Sequence, residues 1–270
     1  MKKSRRRKLV ESTGLLLVDG LGKLTAPAVD DYLKAASEYV RESRRSTASQ
    51  KKAAQIRLSA SLARALVGEL KARLPGFRGI ATEHRVAGGL RDVKADVSEF
   101  HKTDGLRFAV ELKPVNLAVG RAIWNRFGDI RTFAVNLHLK FPFAVVGGVL
   151  VVPTFEEQLS KEAEEQLEDE DIEKLQLGGG GLPPPFGTGE RKDTTHLIAR
   201  AVDRLARAGG RLKESDAPHL LEGICVLVYD PETGIIHPTI PPTGKGLRWE
   251  EFVAGMVTSY IARFGEIPKA

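Results

Sequence analysis

Asp96 is followed fifteen positions later by Glu111, and Glu111 is separated from Lys113 by one leucine. Glu111 and Lys113 lie in a largely apolar stretch, Leu106-Arg107-Phe108-Ala109-Val110-Glu111-Leu112-Lys113-Pro114-Val115. Strand alternation puts Val110 and Leu112 on one face and Glu111 and Lys113 on the other. The apolar pair then faces a core, and the charged pair points into whatever lies across the sheet. Charges in such a strand are costly unless they are paired or used. Carboxylates on adjacent strands suit Mg²⁺, which takes one or two carboxylates and completes its shell with water and substrate phosphate. A lysine beside them stabilises negative charge and orients or activates a water. The alternative reading of the trio is a surface ion pair.

The surrounding segments would position these residues as follows. Leu58, Leu62, Leu66, Leu70 and Leu74 recur every four residues and predict a helix over 53–74, ended by Pro75-Gly76. The period then changes. Residues 80–87, 93–100 and 106–115 read as three strands joined at Gly88-Gly89 and Asp104-Gly105, an antiparallel meander. Ile123, Phe127, Ile130, Ala134, Leu137 and Phe141 form one stripe of a helix over 118–139, stopped by Pro142. Residues 143–152 are an unbroken apolar run, expected to be a strand buried on both faces.

Asp96 and Glu111-x-Lys113, set within helix, three strands, helix and strand, resemble the PD-(D/E)XK nuclease superfamily over about residues 55–153. Ala95 stands where the motif's name has proline. The resemblance implies an α/β, restriction-endonuclease-like fold, a mixed β-sheet flanked by helices. It implies Mg²⁺ as cofactor, Asp96 and Glu111 as metal ligands, and Lys113 as the lysine near the attacking water. Many members add a glutamate from the first helix or first strand. Glu69 and Glu83 are the candidates here, and Glu83 could equally pair with Arg85 or Lys94. Within the superfamily the expectation is a type II restriction endonuclease of a restriction-modification pair, a homodimer cutting double-stranded DNA. A non-specific or structure-specific repair or defence nuclease, and a nuclease-derived DNA-binding protein without catalysis, are the alternatives.

Further positions fit a DNA partner. Arg121, Asn125, Arg126, Asp129 and Arg131 lie off the apolar stripe of the 118–139 helix. Helix N-termini and arginines both favour phosphate, so Asn125 and Arg126, with Arg121, are candidate DNA contacts. A solvated helix face is the other reading. The basic arm Met1–Lys8, carrying Arg5, Arg6 and Arg7, is either a solvated terminus or a phosphate-tracking arm. His138 reads as a core or capping residue.

Composition sets the outer bounds. The 270 residues carry a formal net charge of +6, but residues 1–153 hold 28 Lys/Arg against 14 Asp/Glu and residues 154–270 hold 13 against 21. The basic portion suits a polyanion. A single cysteine, Cys225, excludes disulfide frameworks and cysteine-ligated zinc or iron–sulfur sites. The histidines lack zinc-enzyme spacing, and no Gly-x-Ser-x-Gly elbow occurs. Gly187-Thr188-Gly189-Glu190-Arg191-Lys192 fails the phosphate-loop pattern, so no nucleotide cofactor is expected. No apolar run is long enough for a membrane span, which makes the cytoplasm the expected location.

Four regions follow: 1–52, a basic arm and helical region (helix at 27–45); 53–153, the catalytic core; 154–192, an acidic helix and a Gly/Pro-rich loop; 193–270, an α/β extension packed on the core. The last comprises a helix over 194–208 capped by Asp193, a buried strand over 224–229, a turn at Asp230–Gly234 and a helix over 248–264.

Overall fold

A computed structural model describes residues 48–74, 79–115, 119–159 and 187–265. The basic arm with Arg5, Arg6 and Arg7, the expected helix at 27–45 and the Gly178–Pro185 loop lie outside the described residues.

The elements run α1 (Ala48–Arg73), β1 (Ile80–Ala87), β2 (Asp92–His101), β3 (Gly105–Pro114), α2 (Val119–His138), β4 (Val145–Pro153), β5 (Phe155–Leu159), β6 (Gly187–Asp193), α3 (Thr195–Ala206), β7 (Gly223–Tyr229) and α4 (Trp249–Phe264). One five-stranded sheet has the order β1-β2-β3-β4-β7. β1, β2 and β3 form the antiparallel meander expected from their turns; β4 and β7 add in parallel. The chain is therefore α/β with a mixed sheet, and its 193–270 region contributes the fifth strand rather than a sheet of its own.

Helices cover both faces. α2 and α3 pack with Ala109, Val146, Leu150 and Ile224 on one face. α1 and α4 pack with Val97, Phe108, Val110 and Leu112 on the other. The leucines of α1 at positions 62, 66 and 70 are at most 1% exposed, which is why their four-residue spacing reads so clearly. β4 is buried along its whole length, as a central parallel strand must be. Its glycine pair sets the layer spacing. A Cβ on Gly148 would stand 2.3 Å from Ile130 of α2, and one on Gly147 2.8 Å from Met256 of α4.

Of the expected acidic helix at 156–175, residues 160–175 lie outside the described residues, and the part that is described differs from expectation. Residues 155–159, expected to open an acidic helix, form β5, which pairs antiparallel with β6. Glu156 is used rather than solvated: its carboxylate accepts a 2.7 Å hydrogen bond from the Val119 N–H at the start of α2. The Glu156 carboxylate at that end satisfies an orphan donor and complements the helix dipole. The N-cap of α3 is Thr194 and not the expected Asp193, which stands one residue earlier and whose Oδ1 accepts from the Thr195 N–H and Oγ1–H.

The opposite end of the sheet is held by a buried ionic cluster. Glu222 Oε1 meets Arg211 Nη1 at 2.9 Å and Arg263 Nη1 at 2.7 Å, and its Oε2 accepts from the Val146 N–H at 2.7 Å. His138 Nε2 lies 3.4 Å from the same carboxylate, and its Nδ1 bonds the Pro218 carbonyl at 2.9 Å. The expected core role of His138 is thus what the structure shows. Burial alone would raise the Glu222 pKa, but His138, Arg263 and the Val146 N–H outweigh it and hold the carboxyl below its ordinary value. Among the described residues no helix is long and apolar enough to cross a membrane.

Candidate active site

The β2–β3 ladder runs from His101↔Gly105 to Val97↔Val110 and goes no further. Beyond it the strands open. The Leu112 N–H that would have continued the ladder instead donates to Asp96 Oδ2 at 2.6 Å. Asp96 is thereby fixed beside the backbone between Glu111 and Lys113.

The same point interrupts the β1–β2 pairing. Register is continuous on both sides, yet Glu83 and Asp96, which would face each other, do not pair. Glu83 has φ 57°, the one non-glycine with positive φ among the described residues. A β-strand residue in this region is strained, and such strain gathers at functional sites. The kink has a geometric result. Val86, Val93 and Ala95 pack on the α2 side of the sheet, whereas Ile80 and Val97 pack on the α1/α4 side. Both strands change face together at Glu83 and Asp96.

On β3 the alternation is regular. Val110 and Leu112 belong to the α1/α4 core, while Ala109 belongs to the α2 core. Glu111 and Lys113 share the Ala109 face, so the charged pair points toward α2 as the alternation requires. Glu111 is 9% exposed and its Oε1 meets Lys113 Nζ at 2.5 Å. Its Oε2 is buried and has no hydrogen-bond partner.

Electrostatics tie the group together. Burial raises the Asp96 pKa, the Glu111 charge raises it further, and the carboxyl stands at about 7 despite the Leu112 N–H and Lys113. Burial also raises the Glu111 pKa; Lys113 opposes the rise, and Asp129 and Glu83 add to it. Two carboxyls that cannot comfortably ionise together form a site that favours an added cation.

The structure separates the two helper glutamates. Glu83 acts on both Asp96 and Glu111, and it pairs with Lys94 while Arg85 takes Asp92. Glu69 lies on α1, on the far face of the sheet from Glu111, and its carboxylate meets Arg73 at 3.1 Å. On the α2 side, Arg126 holds Asp129 at 3.1 Å, and Asn125 and Arg121 are exposed. Asp129 belongs to the polar face of the helix, and its charge adds to the rise in the Glu111 pKa. Its offset from the apolar stripe is visible in the sequence, but its electrostatic reach to Glu111 is not.

A divalent cation fits the chemistry of this donor set. The oxygens are hard, two carboxylates are raised in pKa, and Glu111 Oε2 is an orphaned buried acceptor. Among the described residues no group of three or more His, Cys, Asp or Glu side chains is arranged to hold a metal. The site would therefore supply two ligands, which is within the habit of Mg²⁺ and unlike a closed zinc centre.

Comparison with protein-family models, with curated proteins and with solved structures gives no match to this chain.

Proposed function

We propose that the chain is a Mg²⁺-dependent phosphodiesterase of the PD-(D/E)XK type, acting on double-stranded DNA, with a restriction-endonuclease-like core. The observation that carries this reading is the convergence of Asp96, Glu111 and Lys113 where β2 and β3 part, with Glu111 Oε2 buried and unpartnered. Asp96 and Glu111 would hold Mg²⁺, which supplies Lewis-acid charge against the scissile phosphate.

The remaining chemistry belongs to the chain itself. The Leu112 N–H fixes the Asp96 carboxylate, so its orientation costs nothing at the moment of reaction. Lys113 is held by Glu111 and places an ammonium where a water or a phosphate oxygen would sit. Glu83 adds negative charge from the kink in β1, and Asp129, steadied by Arg126, adds it from α2. Arg121, Asn125 and Arg126 are the described DNA contacts of this reading, and Arg5, Arg6 and Arg7 its arm. A homodimer would let two such sites cut opposite strands of a symmetric sequence.

Digestion of several plasmid and phage DNAs, with Mg²⁺ or with EDTA, distinguishes the variants of this reading. Discrete Mg²⁺-dependent fragments indicate a type II restriction endonuclease. A Mg²⁺-dependent smear indicates a non-specific nuclease with the same site. DNA binding that ignores Mg²⁺ and Lys113→Ala, with no cleavage, overturns catalysis and leaves a binding protein.

A further inference from the structure

A cleft of about 670 Å³ opens at the C-terminal ends of β4 and β7, between the β5–β6 ribbon, the start of α3 and the 230–238 turn. Such a volume lies within the range of small-molecule sites. β3 and β4 run side by side with Lys113 opposite Leu150, so Thr154 on the cleft wall is four residues further along the sheet edge. At ~3.3 Å per residue and ~4.8 Å between strands that is about 14 Å from Lys113. A few nucleotides of one DNA strand, at ~3.4 Å each, span that distance.

The cleft combines a flat cationic surface with hydrogen-bonding edges. The Arg191 guanidinium lies over the Phe155 ring at 4.7 Å and is anchored to Glu232 at 2.5 Å. Its side chain is half exposed, so the guanidinium is covered by the ring on one side and reachable from solvent. Asp193 and Asp230 are each held through Oδ1, by Thr195 and by the N–H groups of Glu232 and Thr233, which leaves Oδ2 as the acceptor. His237 Nδ1 accepts from the Ile240 N–H at 3.1 Å, which leaves Nε2 as the ring's donor. A phosphate would be repelled by two carboxylates. A base bearing an amino group would be matched by them.

We propose that this cleft seats one amino-bearing nucleobase of the strand engaged at Asp96 and Glu111, stacked on Arg191 and read at its edge by Asp193, Asp230 and His237. The proposal rests on the nuclease reading for its choice of ligand. Titration of the full-length protein in EDTA with dAMP, dCMP, dGMP, dTMP and inorganic phosphate, by calorimetry, tests it. At least one of the three amino-bearing nucleotides binds; dTMP and phosphate bind ~10-fold more weakly or not at all; and Arg191→Ala and Arg191→Lys, with melting unchanged, each weaken binding ~10-fold because Lys keeps the charge and loses the plane. Equal binding of all four nucleotides, binding of phosphate alone, indifference to Arg191→Lys, or no binding into the millimolar range overturns it. Plasmid cleavage by the same preparation is read separately. Cleavage without nucleotide binding sinks the cleft alone, and nucleotide binding without cleavage sinks the nuclease reading alone.

Discussion

Asp96 accepts a 2.6 Å hydrogen bond from the Leu112 N–H, the donor left over where the β2–β3 ladder ends. A carboxylate side chain thus stands in for a backbone carbonyl, and it does so beside Glu111. This bond separates two kinds of variant. Asp96→Asn keeps an acceptor for Leu112 and removes the charge, so in EDTA at about pH 8 it should be more stable than the parent by about 1–3 kcal/mol. Asp96→Ala leaves the Leu112 N–H without its partner and should lose that gain. Chemical denaturation of the three proteins measures the order.

The pH dependence carries a definite sign. Asp96 stands at about 7 in the folded chain against an ordinary 3.8. Between those values the folded chain binds a proton that the unfolded chain has released. Its contribution to stability therefore falls as pH rises through that window and stays lost above it. Unfolding free energy measured against pH in EDTA should show this slope in the parent and lack it in Asp96→Asn. Mg²⁺ needs the ionised carboxylates, so its stabilising effect should be larger at about pH 8 than at about pH 5.5.

Glu83 and Glu69 should behave oppositely. Glu83→Gln removes a charge that acts on both site carboxyls, so it should lower Mg²⁺-dependent cleavage with little change in melting temperature. Glu69→Gln weakens the buried pair with Arg73, on the far face of the sheet from Glu111, and should cost about 1–3 kcal/mol of stability while leaving cleavage intact. The two readouts, cleavage rate and melting, should cross over between the variants.

Much of this arrangement was legible in the sequence. Glu111 and Lys113 interrupt an apolar strand of period two, and that period alone puts them opposite Val110 and Leu112. The leucines of α1 and the stripe of α2 record their buried faces directly. The kink at Glu83 was not legible, because nothing local marks a glutamate for positive φ; the pairing partners impose it. β5 departs from the helix expected there for a related reason. Glu156 and Glu157 favour helix by propensity, but pairing with β6 and the bond from the Val119 N–H override a preference of a few tenths of a kcal/mol. Asp129 was visible as a polar helix residue, while its relation to Glu111 depends on how α2 crosses the sheet.

The cluster around Glu222 should be purely structural. Its side chain is fully buried against Arg211, Arg263 and His138. Glu222→Ala would leave Arg211 and Arg263 without their counter-charge and should destabilise by about 3–5 kcal/mol. Any protein that folds should retain the Mg²⁺ response of the distant site, as a thermal shift with and without Mg²⁺ would show.

The most direct measurement is the rate of cleavage of end-labelled duplex DNA in Mg²⁺ by the parent, Asp96→Asn, Glu111→Gln and Lys113→Ala, each first shown to melt as a folded protein. Mg²⁺-dependent cleavage by the parent, with each variant slower by at least about 100-fold, is the expected result. Cleavage that survives in all three folded variants, or none by the parent on any duplex tried, would contradict the assignment of Asp96, Glu111 and Lys113 as the reacting site.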